Sequence, residues 1–304
     1  MKFPALFNIF GRQGRAQPIG LEVRPDGLAW ALRPASGHLQ TGFAECMPAK
    51  RAGTLEATVE EYGLKGAPVR AVLSNDQYQV FQIDRPPVED SELADAVRWK
   101  LKDMIDYSVD EAAVDVFPFP DDASRGRGEL INAVVCRKAI VRDLIKLCDS
   151  AGLTLDRVGI SELSLRNLIA PTDEENRGTA LMYLRAQHGQ LVVCRGDTLY
   201  LARRLEVTAN QLSDASQQDT AIQNLALEIQ RSMDYYESQL GQVPPRTVYL
   251  VGHDENLPLT HLISSNVAAQ VENYDWREWL GMESLESRAI DALGAIVTFP
   301  GGTA

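Results

Sequence analysis

Apolar residues along this chain follow two patterns: short runs broken by polar turns, and longer stretches with helical spacing. Two of the short-run patterns are built alike. Ile19-Gly20-Leu21-Glu22-Val23, the turn Arg24-Pro25-Asp26-Gly27 and Leu28-Ala29-Trp30-Ala31-Leu32 make the first. Ala180-Leu181-Met182-Tyr183-Leu184, the turn Arg185-Ala186-Gln187-His188-Gly189 and Gln190-Leu191-Val192-Val193-Cys194 make the second. An apolar run, a polar turn ending in Gly and a second apolar run predict a β-hairpin. One hairpin opening each half of the chain predicts two related lobes.

Between the hairpins, Thr41 to Ala44 reads as a third strand, and Leu55, Val59 and Tyr62 give the face of a short helix over 54–62. Strands are expected at 69–73 and 78–83. Pro86-Pro87 stops the second, and Glu89, Asp90 and Glu92 open a helix whose stripe is Leu93, Val97, Leu101 and Met104, with Trp99 off it. Strands over 113–119 and 130–136, a helix over 138–151 closed by Gly152 and a strand over 153–160 follow. Residues 78–160 thus read strand, helix, strand, strand, helix, strand, the split β-α-β order of a ferredoxin-like module. Pro171 to Gly178 reads as a linker, and 210–218 as a polar loop. Leu225, Ile229, Met233, Tyr236 and Leu240 give one buried face of a long helix over 220–240. A buried strand over 247–252 and a last helix over 285–296 complete the pattern.

A length of 304 residues fits about two domains at roughly 150 residues each. The first lobe is expected over 1–170 plus 284–304, with the inserted module at about 78–160, and the second over 178–283. A net charge of -12 argues against a nucleic-acid partner and against polybasic adhesion to lipid. Cys46, Cys136, Cys148 and Cys194 lack any C-x-x-C spacing and read as structural thiols of a reducing compartment. No apolar run reaches the ~18 residues of a membrane span. Segment 1–10 is interrupted by Pro4 and Asn8 and lacks a cleavage site, so it reads as a packing arm or a docking segment rather than a signal peptide.

Common catalytic signatures are missing: no G-x-S-x-G, no Walker A loop, no H-E-x-x-H and no G-x-G-x-x-G. Gly126-Arg127-Gly128 reads as a loop. His38, His188, His253 and His261 read as surface or packing residues. Asp121-Asp122 and Glu174-Glu175 read as solvated loop acids rather than an acid/base pair.

The order of elements carries more. Hairpin, long first lobe, linker, hairpin, long helix, strand ending in Gly and last helix resembles the actin-like ATPase superfamily. More narrowly, three runs resemble the pilus-assembly protein PilM and its relatives, the type II secretion L component and the MshI family of mannose-sensitive haemagglutinin pili. These are Ile83-Asp84-Arg85-Pro86-Pro87 leading into Leu93-Ala94-Asp95-Ala96-Val97, Glu228 to Tyr236, and Ala289-Ile290-Asp291-Ala292-Leu293-Gly294. The resemblance is nearest to MshI. It implies an α/β, two-lobed actin-like (ribonuclease H-like) fold with a ferredoxin-like inserted subdomain in the first lobe.

In nucleotide-binding members, each hairpin carries an Asp, then a Gly, then small hydroxyl residues. The acid organises metal-bound water and the Gly opens backbone N–H groups to phosphate. Those positions hold Glu22 with Arg24, and Tyr183 with Arg185, while the paired glycines at the adenosine read Gly252-His253. With Asp26, Gly27 and Gly189 these residues outline a degenerate nucleotide cleft. Its arginines either clamp phosphate or fill the cleft and pair with Glu22 or Asp26. The favoured expectation is a docking scaffold, not an enzyme, with no cofactor. The alternatives are an active ATPase using ATP and magnesium, and a filament-forming cytoskeletal protein. The family further implies a PilN-like inner-membrane partner whose cytoplasmic tail lies between the first lobe and its insertion, against Val80, Phe81, Ile83, Arg85 and Trp99. It also implies contact with the assembly ATPase and a cytoplasmic place at the inner membrane through partners.

Overall fold

A computed structural model describes residues 17–34, 37–126, 128–173, 176–253 and 256–297. Segment 1–10, Arg127 and the Glu174-Glu175 pair lie outside them.

The first lobe begins with β1 (Ile19–Arg24), β2 (Gly27–Leu32) and β3 (Gln40–Glu45), followed by α1 (Arg51–Tyr62) and β4 (Pro68–Leu73). An inserted module holds β5 (Tyr78–Asp84), α2 (Leu93–Lys100), β6 (Ala112–Pro118) and β7 (Leu130–Arg137). Then α3 (Lys138–Ser150), β8 (Thr154–Ile160) and α4 (Ser161–Ile169) return to the lobe. The second lobe runs through β9 (Thr179–Leu184), β10 (Gly189–Arg195), β11 (Thr198–Leu205), α5 (Ala209–Ser213), α6 (Gln218–Ser238) and β12 (Thr247–Val251). It continues with α7 (Leu259–Ser264), β13 (Gln270–Asn273) and α8 (Trp276–Leu280), and α9 (Ile290–Ile296) follows.

The two main sheets repeat one plan. The first orders its strands β3-β2-β1-β4-β8 and the second β11-β10-β9-β12-β13. In each, the hairpin and its third strand are antiparallel and the two later strands are parallel. The hairpin strands are buried along nearly their whole length. Strands covered on both faces have no solvent side to encode, so they read as continuous apolar runs.

Helices α4 and α9 cross between the sheets at very close range. A Cβ on Gly294 would lie 2.2 Å from the Ser164 carbonyl oxygen, and one on Gly20 only 1.8 Å from that of Ala292. Glycine at these two positions lets α9 rest on β1 and on α4 at backbone distance.

The inserted sheet has the order β5-β7-β6. Its inner face packs Val114, Val116, Ile131, Ala133 and Val135 on Leu93, Val97 and Leu101. Here the sequence expectation is corrected in extent. The strand expected to complete the split β-α-β unit, Thr154–Ile160, instead pairs in parallel with β4 in the first main sheet. Its Val158 and Ile160 are buried in the lobe core, and α3 packs on it and on α1. Met104 also departs from its expected stripe: α2 ends at Lys100, a tighter turn follows, and Met104 is exposed. Residues 210–218, expected as a polar loop, contain most of α5, whose first turn is fixed by a capping box between Thr208 and Gln211.

Candidate functional site

The two hairpins meet through side chains. Arg185, just past β9, reaches across to the first lobe and to α9. Its guanidinium lies 2.5 Å from Glu22 Oε1 and 2.7 Å from Asp291 Oδ2. Both carboxylates are fully buried. Arg24 stands 3.6 Å from Glu22 Oε2 and 3.2 Å from Asp26 Oδ1. The Ser161 hydroxyl is 2.7 Å from Asp291 Oδ1 and equally near Gln190 Oε1, and Ser74 Oγ is 3.4 Å from Glu22 Oε1. Three acids, Asp26 among them at the exposed rim, and two guanidiniums therefore form a cluster joining both lobes and the last helix.

Burial dominates the titration of this cluster. It raises the Glu22 and Asp291 carboxyls above the ordinary carboxylate range, although Arg185 opposes the shift in each. Arg185 is held up against its own burial by Tyr183, Glu22 and Asp291, so it keeps its charge. His188, in the second turn, is pushed down to about 4 by burial and by the Arg185, Arg204 and Arg24 guanidiniums.

Tyr183 closes the cluster from the second lobe. Its ring lies under Gly252, where a Cβ would come within 2.6 Å of both Tyr183 Cε2 and the Leu184 carbonyl oxygen, at a φ of +82°. The Tyr183 hydroxyl donates to the Ser287 carbonyl oxygen at 3.0 Å. Half-buried His253 follows Gly252. Gly27 and Gly189 each open a hairpin's second strand, and a Cβ on either would meet neighbouring carbonyl oxygens, of Ala44 at 2.3 Å and of Val207 at 2.9 Å. The backbone N–H of Arg185 is already committed to the His188 carbonyl oxygen at 2.9 Å. All the residues expected to outline the degenerate cleft lie on or beside the two hairpins, or on the Gly252 turn against Tyr183.

A second junction joins the insertion to the second lobe. Asp122, on the loop after β6, meets Arg195 at 2.5 Å and accepts from the Tyr200 hydroxyl at 2.9 Å. The Gln242 side chain donates to the Asp122 carbonyl oxygen, and Arg125 donates to that of Ser238. Burial works against Asp122, but the hydrogen bonds from Arg195 and Tyr200 outweigh it and hold the carboxyl below its ordinary range. Asp122, expected as a solvated loop acid, is thus a latch residue.

Beside this latch lies a cavity of about 390 Å3. Its floor is continuous with the buried cluster. The Tyr78 hydroxyl is 2.5 Å from Glu162 Oε2 and 3.2 Å from Asn75 Oδ1, and Asn75 Nδ2 donates to Gln190 Oε1 at 3.2 Å.

The five residues expected to contact a partner separate. Phe81 and Ile83 point into the insertion core beneath α2, whereas Val80, on the opposite face of β5, lines the cavity and is 38% exposed. Arg85 is engaged by Asp90 at 2.7 Å and Glu129 at 3.4 Å. Trp99 is 66% exposed on α2. Strand alternation explains the split, since successive side chains of β5 face opposite sides.

Sequence reasoning gave no role to Asp291, Ser161, Gln190 or Asn75. The signal for Asp291 was a lone acid in a run of small apolar residues, Ala289 to Gly294. Among the described residues, no cluster of His, Cys, Asp or Glu is set to hold a metal, and the four cysteines are free.

No family model and no curated protein matches the chain. Solved structures do. A PilM–PilN type IV pilus biogenesis complex superposes with a TM-score of 0.68 at 19% identity, covering 93% of this chain and 98% of that one. The cytoplasmic domain of EpsL, an inner-membrane component of the Vibrio cholerae type II secretion system, gives 0.55 at 12% identity, covering 93% and 95%. A Bacteroides thetaiotaomicron protein with an actin-like ATPase fold and unknown function gives 0.55 at 12%, covering 93% and 96%. The chain has the two-lobed actin-like ATPase fold, in its PilM-like form. No helix among the described residues is long and apolar enough to cross a membrane.

Proposed function

We propose that this chain is a docking scaffold of a type IV pilus assembly system of the MSHA type, an MshI-like protein whose hairpins no longer grip a nucleotide. The observation that carries the reading is the Arg185 clasp. A magnesium phosphate group needs free backbone N–H donors, a solvated carboxylate and uncommitted positive charge. The Arg185 N–H is used within its own turn, Glu22 is fully buried against Arg185, and both guanidiniums face carboxylates. An entering phosphate would meet Glu22 and Asp291 as like charges. The residues do not fit the group.

With the cleft filled from within, the insertion is the part left for partners. Similarity to a PilM–PilN complex supports a PilN-like inner-membrane protein whose cytoplasmic tail docks there, which would hold the chain at the cytoplasmic face of the inner membrane. The assembly ATPase is a further partner on this reading. Exposed Trp99 on α2 is the anchor-type residue this surface offers.

A thermal-shift scan tests the reading. Millimolar magnesium-ATP is expected to leave the melting temperature unchanged. A ligand present at 100 times its Kd would stabilise the fold by about 2.7 kcal/mol, so a clear upward shift that requires magnesium would restore the active-ATPase reading. Capture of the partner's tail peptide by wild type, and its loss in the Arg85→Ala, Trp99→Ala double variant, is the matching positive result.

A further inference from the structure

Protons can be counted along the buried side of the clasp. Ser161, at the start of α4, is fully buried, and its hydroxyl oxygen lies 2.7 Å from both Asp291 Oδ1 and Gln190 Oε1. Both distances are those of a hydrogen bond, yet a hydroxyl has one proton to give. The Gln190 oxygen is a fixed acceptor. Asn75 Nδ2 donates to it at 3.2 Å, and the other end of the Gln190 amide donates to Glu162. Turning that amide over would set its oxygen against the Glu162 carboxylate. The missing proton therefore comes from Asp291, whose carboxyl O–H can donate to Ser161 Oγ while Ser161 donates to Gln190.

Charge balance calls for the same proton. Glu22, Asp26 and Asp291 share the two guanidiniums of Arg24 and Arg185, so one bound proton makes the cluster neutral. Neutrality is the state that a site closed to water favours. Of the two sealed acids, Glu22 faces both guanidiniums, at 2.5 Å and 3.6 Å, and has the Ser74 hydroxyl at 3.4 Å. Asp291 forms an ion pair with Arg185 at 2.7 Å through Oδ2, which leaves Oδ1 to carry the proton toward Ser161. Burial, Glu162 on α4 and Glu22 on β1 favour the protonated form, while Arg185, the Ser161 bond and Arg24 oppose it. Tyr78 of β5 and Tyr183 of β9 also face this acid, and burial keeps both phenols neutral.

We infer that Asp291 is a proton-operated switch between the lobes. With its proton, Asp291 donates to Ser161 and leaves the Ser161 hydroxyl to bond Gln190. Without it, the Ser161 hydroxyl turns to the Asp291 carboxylate, because a charged acceptor wins over a neutral one, and the bond to Gln190 is lost. Ser161 belongs to the first lobe and Gln190 lies on β10 of the second, so the bond at stake joins the two. It forms as pH falls toward the ordinary carboxylate value near about 4 and is lost as pH rises through the raised value of the folded chain. The lobes respond to pH in this way with or without a docked partner.

Infrared spectra of the whole chain, recorded from alkaline to mildly acidic pH, provide the test, because a protonated carboxyl has a carbonyl band that carboxylates and amides lack. Wild type is expected to gain one such band more than about one pH unit above the ordinary aspartate value of about 4. Asp291→Asn, whose Nδ2 can take over the donation to Ser161, is expected to lose the band. Ser161→Ala is expected to move it to higher frequency, since the carboxyl O–H then has no acceptor; should Asp291→Asn fail to fold, this shift alone assigns the proton. The side-chain amide resonances of Gln190 are expected to move with the same midpoint as the band in wild type and to stay fixed in Asp291→Asn. A wild-type band confined to the ordinary range, a band that survives in Asp291→Asn, or one unmoved by Ser161→Ala would overturn the assignment of the proton. Gln190 resonances that ignore the band's midpoint would overturn the switch.

Discussion

Two arginine–carboxylate junctions span the lobes of this protein, and they differ in almost every physical respect. The clasp of Arg185 with Glu22 and Asp291 is fully sealed from water, whereas the latch of Arg195 with Asp122 stands half open to it. Guanidinium-to-oxygen distances are similar, so geometry alone does not rank them. The solvent does. Removing one member of a buried cluster strands a charge where water cannot reach it, which typically costs about 3–5 kcal/mol. Removing one member of an exposed pair returns both groups to water and costs about 0–1 kcal/mol. A bridge that cannot open without that penalty is structural, while one that opens cheaply leaves its neighbourhood free to move. The hairpin cleft is therefore the rigid junction and the insertion the adjustable one, consistent with docking at the insertion.

The sharpest way to break this comparison is at Arg185. Arg185→Ala is expected to lower stability in equilibrium urea unfolding by about 3–5 kcal/mol, because Glu22 and Asp291 would remain buried without their cation. Replacing the clasp with neutral side chains (Glu22→Gln, Arg185→Met, Asp291→Asn) should recover most of that loss, since the one charge left in the cluster, Arg24, keeps Asp26 as its partner. A single variant no worse than the triple one would mean that water enters the cluster, and the contrast with the latch would collapse.

Gly252 gives a smaller effect at the same junction. Gly252→Ala needs a side chain at a φ of +82° and a Cβ within 2.6 Å of the Leu184 carbonyl oxygen. Strain of this kind costs about 1–3 kcal/mol. Because the same Cβ presses on the Tyr183 ring, the loss should be accompanied by a changed near-ultraviolet circular dichroism signal. Gly281→Ala, also at positive φ but with nothing within 4 Å of a Cβ, isolates the backbone share of the cost.

Acidity separates the two junctions by sign. Glu22 and Asp291 bind protons more tightly folded than unfolded, so their share of stability grows as pH falls through their raised values toward the ordinary range near about 4, and is lost as pH rises. His188 runs the other way: its folded value of about 4 lies below its usual one, and stability is lost as pH falls through that interval. Subtracting the unfolding profile of the triple clasp variant from that of wild type should leave a rise in the clasp's contribution on acidification from neutrality. A flat difference would show that the carboxylates titrate alike in the folded and unfolded chain.

Legibility in the sequence followed the same division between buried and exposed. The hairpins and the α6 stripe were readable because burial on both faces, or on one helical face, forces apolar residues into fixed spacing. β13 was not, since its four residues, Gln270-Val271-Glu272-Asn273, form an edge strand with one buried side chain and no pattern to read. The module boundary was misread because β8 alternates like any strand, and only its pairing with β4 assigns it to the lobe. Glu22, Arg24, Tyr183 and Arg185 could be singled out because each stands in a hairpin whose position has meaning. Asp291 is far from them in sequence and local pattern says nothing about its partner, while Asp122 looks like any loop acid until Arg195 is placed beside it.

The smallest expected effect is also the most specific to the latch. Asp122 is held below the ordinary carboxylate range, so its stabilisation is present above the unfolded value near about 4 and disappears as pH falls through the lower folded one. Asp122→Ala is expected to change global stability by no more than about 1 kcal/mol at neutral pH, and by less in high salt. Yet it removes the carboxylate that holds Arg195 and Tyr200, so amide hydrogen exchange should accelerate in the loop after β6 and along β11 while the α4–α9 crossing stays protected. Equal acceleration at both places would show that the insertion and the lobes open as one unit, and that the latch and the clasp are parts of a single cooperative structure rather than two junctions of different strength.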